Sequence, residues 1–113
     1  MTCLFCKIIE RKIPADIIFE DDTLFAFRDI NPQAPEHILI IPKKHINTIN
    51  DADDNDAQLL GEITLCAKNI AKNLGVDNDG YRLVFNINNN GGQEVYHIHL
   101  HLLAGRQMCW PPG

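Results

Sequence analysis

The chain lacks a long hydrophobic run. No apolar stretch approaches the roughly 18 residues that read as a membrane span, so no membrane role is expected. No charged-then-apolar leader opens the sequence, and a cytoplasmic protein is the expectation. Basic residues are in deficit: 10 Lys and Arg stand against 15 Asp and Glu, a formal net charge of −5. General nucleic-acid binders are usually basic, so nucleic acid is not an expected partner. A small anionic ligand stays compatible, because a local site can be positive on an acidic chain. Repeats and low-complexity segments are absent, and tryptophan occurs once, as Trp110. What remains is an ordinary globular balance of 45% hydrophobic and 22% charged residues in 113. That length fits a single domain, residues 1–113, with little room for two. So short a chain buries only part of its unfolded surface, and self-association would help it.

Four cysteines are present, Cys3, Cys6, Cys66 and Cys109. With no secretion signal, disulfides are not expected, and Cys3-x-x-Cys6 reads as metal-binding, redox-active or incidental. Cys66 reads as core and Cys109 as a free thiol.

Apolar periodicity organises the rest. Leu59, Ile63, Cys66, Ile70 and Leu74 recur every three or four residues, predicting a long helix over 53–74 stopped by Gly75. The acidic stretch Asn50 to Asp56 leads into it. Leu4, Phe5, Ile8 and Ile9 predict a short helix before Pro14. Strands are expected at Asp16–Glu20, Leu24–Arg28, His37–Ile41, Tyr81–Asn86 and Val95–Leu103, with a turn over Asn88-Asn89-Asn90-Gly91-Gly92. Short links between neighbouring strands favour an α+β fold: a five-stranded, mostly antiparallel sheet with the long helix on one face.

The chemistry concentrates in His97-Ile98-His99-Leu100-His101. Alternation along a strand puts Tyr96, Ile98, Leu100 and Leu102 on one face, toward the core. Val95, His97, His99, His101 and Leu103 then share the other, with the imidazoles roughly 7 Å apart. Three of five histidines falling at strict alternation argues against a merely solvated strand face. Two chemistries stay open on spacing alone: a tris-histidine metal site, or nucleophilic and acid–base catalysis by imidazole.

His97-Ile98-His99-Leu100-His101-Leu102-Leu103 resembles the His-φ-His-φ-His-φ-φ signature of the histidine triad (HIT) family, φ being apolar. Phe5-x-Lys7-Ile8-Ile9, Ile13-Pro14-Ala15, Phe25-Ala26-Phe27-x-Asp29-Ile30, Pro32-Gln33-Ala34-Pro35, Ile41-Pro42-Lys43-Lys44-His45 and Gly91-Gly92-Gln93-x-Val95-Tyr96 are similar to its Hint branch, the purine nucleoside phosphoramidases. So is the tail Gly105-Arg106-Gln107-Met108-x-Trp110-Pro111-Pro112-Gly113. Nearly the whole chain is covered.

The resemblance implies a HIT-like fold that dimerises into a ten-stranded sheet, with a C-terminal arm over 104–113. It implies hydrolysis of P–N bonds in purine nucleoside 5′-phosphoramidates and aminoacyl-type adenylates, through a nucleotidyl-histidine intermediate. His99 is the implied nucleophile and His101 the group on the phosphoryl oxygens and leaving group, with His97 and His37 in support. Asp29 is implied for the ribose hydroxyls, and Phe5, Ile8, Phe27 and Ile30 for the base, with Arg28 beside them. Asn86, Gly92, Gln93, Glu94 and Val95 are implied near the phosphate. Glu94 stands where many relatives carry Ser, which bears on the leaving group. Trp110 is implied to reach the partner's site in a homodimer. No cofactor is required for this chemistry. Some relatives hold structural zinc on residues matching Cys3, Cys6, His45 and His97; the cysteine pair fits equally two small residues at a helix start. The rival functions are a zinc-dependent hydrolase with the triad as ligands, and a nucleotide-binding regulatory protein without turnover.

Overall fold

The first helix, α1 (Leu4–Ile9), is capped by Cys3, whose sulfur accepts the Cys6 N–H at 3.3 Å, and it buries Phe5 and Ile8. The protein is described here by a computed structural model covering residues 3–113. Next come β1 (Ile17–Glu20), β2 (Leu24–Arg28), β3 (Glu36–Pro42), α2 (Ala57–Asn73), β4 (Tyr81–Phe85), a single-turn helix α3 (Asn88–Gly91) and β5 (Leu100–Ala104). The five strands form one sheet in the order β1-β2-β3-β5-β4, and every pairing is antiparallel.

Strand alternation sorts the core into two layers. Leu24, Ala26, Ile38, Ile40, Leu100 and Leu102 pack beneath α2, against Ile63, Ala67 and Ile70. Phe25, Phe27, Leu39 and Ile41 face the other way and are covered by Phe5 and Ile8 of α1. His101 pairs in register with Leu39, which places it on the α1 side of the sheet. Each face of the central strands is therefore buried, as their near-continuous apolar sequences suggest.

Three elements depart from the sequence expectation. The long helix starts at Ala57 rather than at 53, after two 3-10 turns, Ile49–Asp51 and Asp54–Asp56. Short acidic side chains cause this: Asp53 accepts the Asn55 N–H and Asp56 accepts the Asp53 N–H, bonds that compete with helical ones. The last strand begins at Leu100 rather than at 95. Continuing the β3–β5 register from Ile40↔Leu100 would set Ile98 against Pro42, which has no N–H to give. Ile98 N–H donates instead to the Ile46 carbonyl at 2.8 Å, and residues 95–99 leave the ladder. Tyr96, expected toward the core, is consequently exposed, while Ile98 stays buried. The expected turn after β4 contains α3. Gly92 ends that helix in a left-handed conformation, φ 80°.

Beyond Ala104 the chain turns outward at Gly105, where φ is +94° and a Cβ would stand 2.8 Å from the Pro35 side chain. No regular element follows. The arm is tied back at two points: Arg106 Nε donates to the Gln33 carbonyl at 3.1 Å, and Arg82 of β4 donates to the Cys109 carbonyl at 2.9 Å.

Candidate active site

Leaving the ladder frees residues 97–99 to aim their rings by other bonds. The His99 Nδ1–H donates to the His97 carbonyl at 2.8 Å. A neutral imidazole carries one N–H, so His99 Nε2 is left with a bare lone pair. The edge of Phe5 holds the ring from the side, centroids 5.0 Å apart. Burial holds the His99 pKa below the usual imidazole value, which keeps that lone pair unprotonated at neutral pH.

His37 and His101 form a directed pair. The Gln33 N–H donates to His37 Nδ1 at 3.0 Å, which puts the His37 proton on Nε2. That proton is given to His101 Nδ1 at 2.9 Å, with Asp29 Oδ2 3.5 Å from the same Nε2. His101 must then carry its own proton on Nε2. Burial, reinforced by His99 and His37, pushes the His101 pKa down to about 4, and burial lowers that of His37. The result is a bare imidazole nitrogen on His99 next to an imidazole N–H donor on His101, ring centroids 4.9 Å apart.

These two rings open into a cleft of about 410 Å³ lined by Asp29, Asn31, Gln33, His37, Asn86, Gly92, Glu94, His99 and His101. Asp29 both holds its own loop and lines the cleft. Its Oδ1 accepts the Asn31 N–H at 2.8 Å and shapes the loop, while the carboxylate still faces the cleft. Asn31 and Gln33 were not singled out in the sequence. The one available signal was their place in the Pro-containing loop that Asp29 caps.

Several expected positions are spent on other work. His97 is fully buried and does not line the cleft. Its Nε2–H donates to the Pro42 carbonyl at 2.7 Å, and burial pushes its pKa down to about 4. The Gln93 amide donates to the carbonyls of Asn47 and Val95 and accepts the Asn88 N–H, so it latches the loop together. The N–H groups of Gly92 and Gln93 close α3 onto Asn89 and Asn88 and do not present themselves to an anion. Phe5, Ile8 and Phe27 are packed core behind the cleft, and Val95 is half-buried against them. Arg28 is engaged by Glu36 at 2.9 Å and Asp16 at 3.6 Å. Ile30 is 97% exposed, and Trp110 is 83% exposed on the arm.

The lone pairs of the triad diverge, which tells against the triad as one metal site. A separate donor set does converge: Cys3, Cys6, His45 and His97 place one ligand atom each within 4.8 Å of one another. His97 Nδ1 lies 3.4 Å from Cys3 Sγ and 3.6 Å from Cys6 Sγ, and His45 Nδ1 lies 3.2 Å from Cys6 Sγ. Both rings use Nε2–H elsewhere, His97 on the Pro42 carbonyl and His45 on the Asn47 side chain, so both Nδ1 lone pairs face the sulfurs. Tetrahedral zinc with these ligands needs donor separations of roughly 3.4–3.8 Å, and the chemistry of the set fits it. Burial and the neighbouring Cys3 push the Cys6 thiol up to about 11.

The chain is similar to known proteins in both sequence and fold. Residues 10–108 match the HIT domain model. A purine nucleoside phosphoramidase of Escherichia coli K12 is 55% identical over 105 residues, covering 93% of this chain and 88% of that protein. The solved structure of a HIT family hydrolase from Legionella pneumophila Philadelphia 1 superposes with a TM-score of 0.97 at 64% identity, over 99% of this chain and 100% of that one. A histidine triad protein from Clostridium difficile superposes with a TM-score of 0.94 at 43% identity, over 96% and 95% of the two chains. The chain therefore belongs to the HIT domain family.

Proposed function

We propose that the protein is a purine nucleoside phosphoramidase, which cleaves the P–N bond of nucleoside 5′-phosphoramidates and aminoacyl-type adenylates. The observation that carries this reading is the bare Nε2 of His99 beside the Nε2–H of His101. In the first step His99 Nε2 gives its lone pair to phosphorus. The P–N bond pair leaves with the amine nitrogen, which takes a proton from solvent water while the His101 Nε2–H hydrogen-bonds the charge growing on the phosphoryl oxygen. In the second step water attacks the nucleotidyl-histidine: its oxygen bonds to phosphorus, the bond from phosphorus to His99 Nε2 breaks and returns its electron pair to that nitrogen, and the water proton passes to solvent. The His99 ring gains positive character while substituted, and the His97 carbonyl on its Nδ1–H stabilises that form. Asp29 suits the two ribose hydroxyl donors. No Lys or Arg lines the cleft, which suits a singly charged phosphoryl group better than a polyphosphate. Incubation with an adenosine phosphoramidate should release AMP. Protein quenched during turnover should gain the mass of one adenylyl group. Binding without release would leave a nucleotide-binding regulatory protein in its place.

Structural zinc on Cys3, Cys6, His45 and His97 belongs to the same reading, as does the cytoplasm, whose reducing conditions suit four unpaired cysteines. No helix among the described residues is long and apolar enough to cross a membrane. The chemistry itself asks for no cofactor.

The working form is a homodimer. The edge strand β4, Tyr81-Arg82-Leu83-Val84-Phe85, leaves every residue half-buried, as an apolar edge awaiting a partner strand would be. Pairing β4 with its two-fold copy continues the sheet to ten strands. The arm is fastened to this same edge by Arg82, so pairing carries exposed Trp110 toward the other subunit's cleft. Sedimentation at micromolar concentration should give a dimer. Truncation after Met108 should alter leaving-group preference more than thermal stability. A monomer, or an unchanged substrate profile, would count against the corresponding half.

A further inference from the structure

The active cleft shares one wall with a second cleft. Glu94 lines both. The second, about 390 Å³, is bounded also by Leu4, Asn47, Val95 and Tyr96, at the side of the Cys3 and His45 cluster. Leu4 and Tyr96 are large apolar groups left exposed at 43% each. Tyr96 is there because residues 95–99 leave the sheet, which turns its ring out of the core. Glu94 is exposed and makes no ion pair among the described residues. Neither cleft is lined by Lys or Arg, so nothing repels a cation from it.

Resting on the phosphoramidase reading, the geometry points to this second cleft as the subsite for the leaving amine, with Glu94 selecting amines that carry a second, cationic group. A phosphoryl group held between His99 and His101 has its nucleoside toward Asp29, Asn31 and Gln33. The remaining substituent must depart at the other end, which Gly92 and Glu94 bound. An alkylamine following that path crosses Glu94 and enters the second cleft. Its methylenes then lie against Leu4 and Tyr96, and a distal ammonium finds the Glu94 carboxylate free of competing cations. A charged, hydrogen-bonded contact of this kind is what discriminates strongly between otherwise equal ligands, whereas added methylenes discriminate weakly. The substrate class is accordingly nucleoside phosphoramidates of diamines and of basic amino-acid amines. Glu94 acts here as a specificity residue and takes no part in the bond exchange.

The test compares two adenosine 5′-phosphoramidates of equal length, one of 1,5-diaminopentane and one of 5-amino-1-pentanol. Wild-type protein should favour the ammonium compound in kcat/KM by on the order of tenfold, the scale of one charge-assisted hydrogen bond. Raising the salt concentration should shrink that ratio, because an exposed pair is screened. Glu94→Gln should bring the ratio to within about twofold of unity, in protein whose melting temperature and circular dichroism show it folded. Equal rates on the two compounds in wild type, or a ratio that survives in Glu94→Gln, would overturn the subsite while leaving the hydrolase intact. If neither compound were cleaved, the phosphoramidase reading itself would fall, and the subsite with it.

Discussion

His99→Ala should reduce turnover of an adenosine phosphoramidate by on the order of 10⁴-fold or more, while the nucleotide still binds. The size follows from how few imidazole lone pairs the site offers. His101 Nδ1 accepts from His37, and His37 Nδ1 accepts from the Gln33 N–H. His97 Nδ1 is turned to the sulfurs behind the cleft. Only His99 presents an uncommitted nitrogen beside a proton donor, and no neighbour can swing into its place without breaking a buried hydrogen bond. The Asp29 side of the cleft is untouched by the substitution, so affinity for the product nucleotide should change far less than kcat. Stopped-time AMP release and direct binding of AMP measure the two separately. Near wild-type turnover by His99→Ala, in a preparation shown free of contaminating enzyme, would end the nucleophile assignment. A companion measurement separates the metal-hydrolase rival: wild-type protein treated with a strong chelator and still folded should retain its chemistry.

The sequence carried the fold where packing follows alternation or helical period. β2 and β3 are in place because their near-continuous apolar sequences had to be covered on both faces, and the stripe Ile63–Cys66–Ile70 because one face of its helix had to be. The proximity of His99 and His101 was legible for the same reason, since Ile98, Leu100 and Leu102 fix which way the histidines turn. The division of labour among the histidines was not. It depends on which ring nitrogen meets which main-chain carbonyl, and those carbonyls lie far away in sequence: Pro42 for His97, with the Gln33 N–H for His37. The start of β5 was hidden likewise, because it is set by a missing N–H on Pro42 of the neighbouring strand. Gln93 reads as a polar residue beside a glycine turn. Only the loop at Asn47, brought close by the fold, shows that its amide is a fastener. The arm was legible as an arm, because a lone Trp among prolines has no element of its own to be buried in.

Zinc removal should be the largest perturbation of stability. Protein purified without chelators should carry about one zinc per chain, and Cys3→Ser and Cys6→Ser should each lose it. The melting temperature should fall by roughly 10 °C or more, the shift expected for a loss of at least about 2 kcal/mol in a domain of this size. The four donors come from three separate places: the cap and first turn of α1, the loop after β3, and the segment leading to β5. A cation there would fasten the N-terminal helix to the far side of the sheet, closing long loops with a single centre. Without it, α1 is held mainly by the burial of Phe5 and Ile8, and two thiols face two imidazole lone pairs. The supporting hydrogen bonds predict a graded series. Asn47→Ala removes the acceptor that orients His45 and should weaken metal affinity by roughly ten- to a hundredfold without abolishing binding. The nucleophile should persist in all three variants, because the His99 Nδ1–H is held by a main-chain carbonyl and not by the thiols. Metal analysis finding no zinc after gentle purification, and none taken up on addition, would remove the metal from this account and leave Cys3 as a simple helix cap.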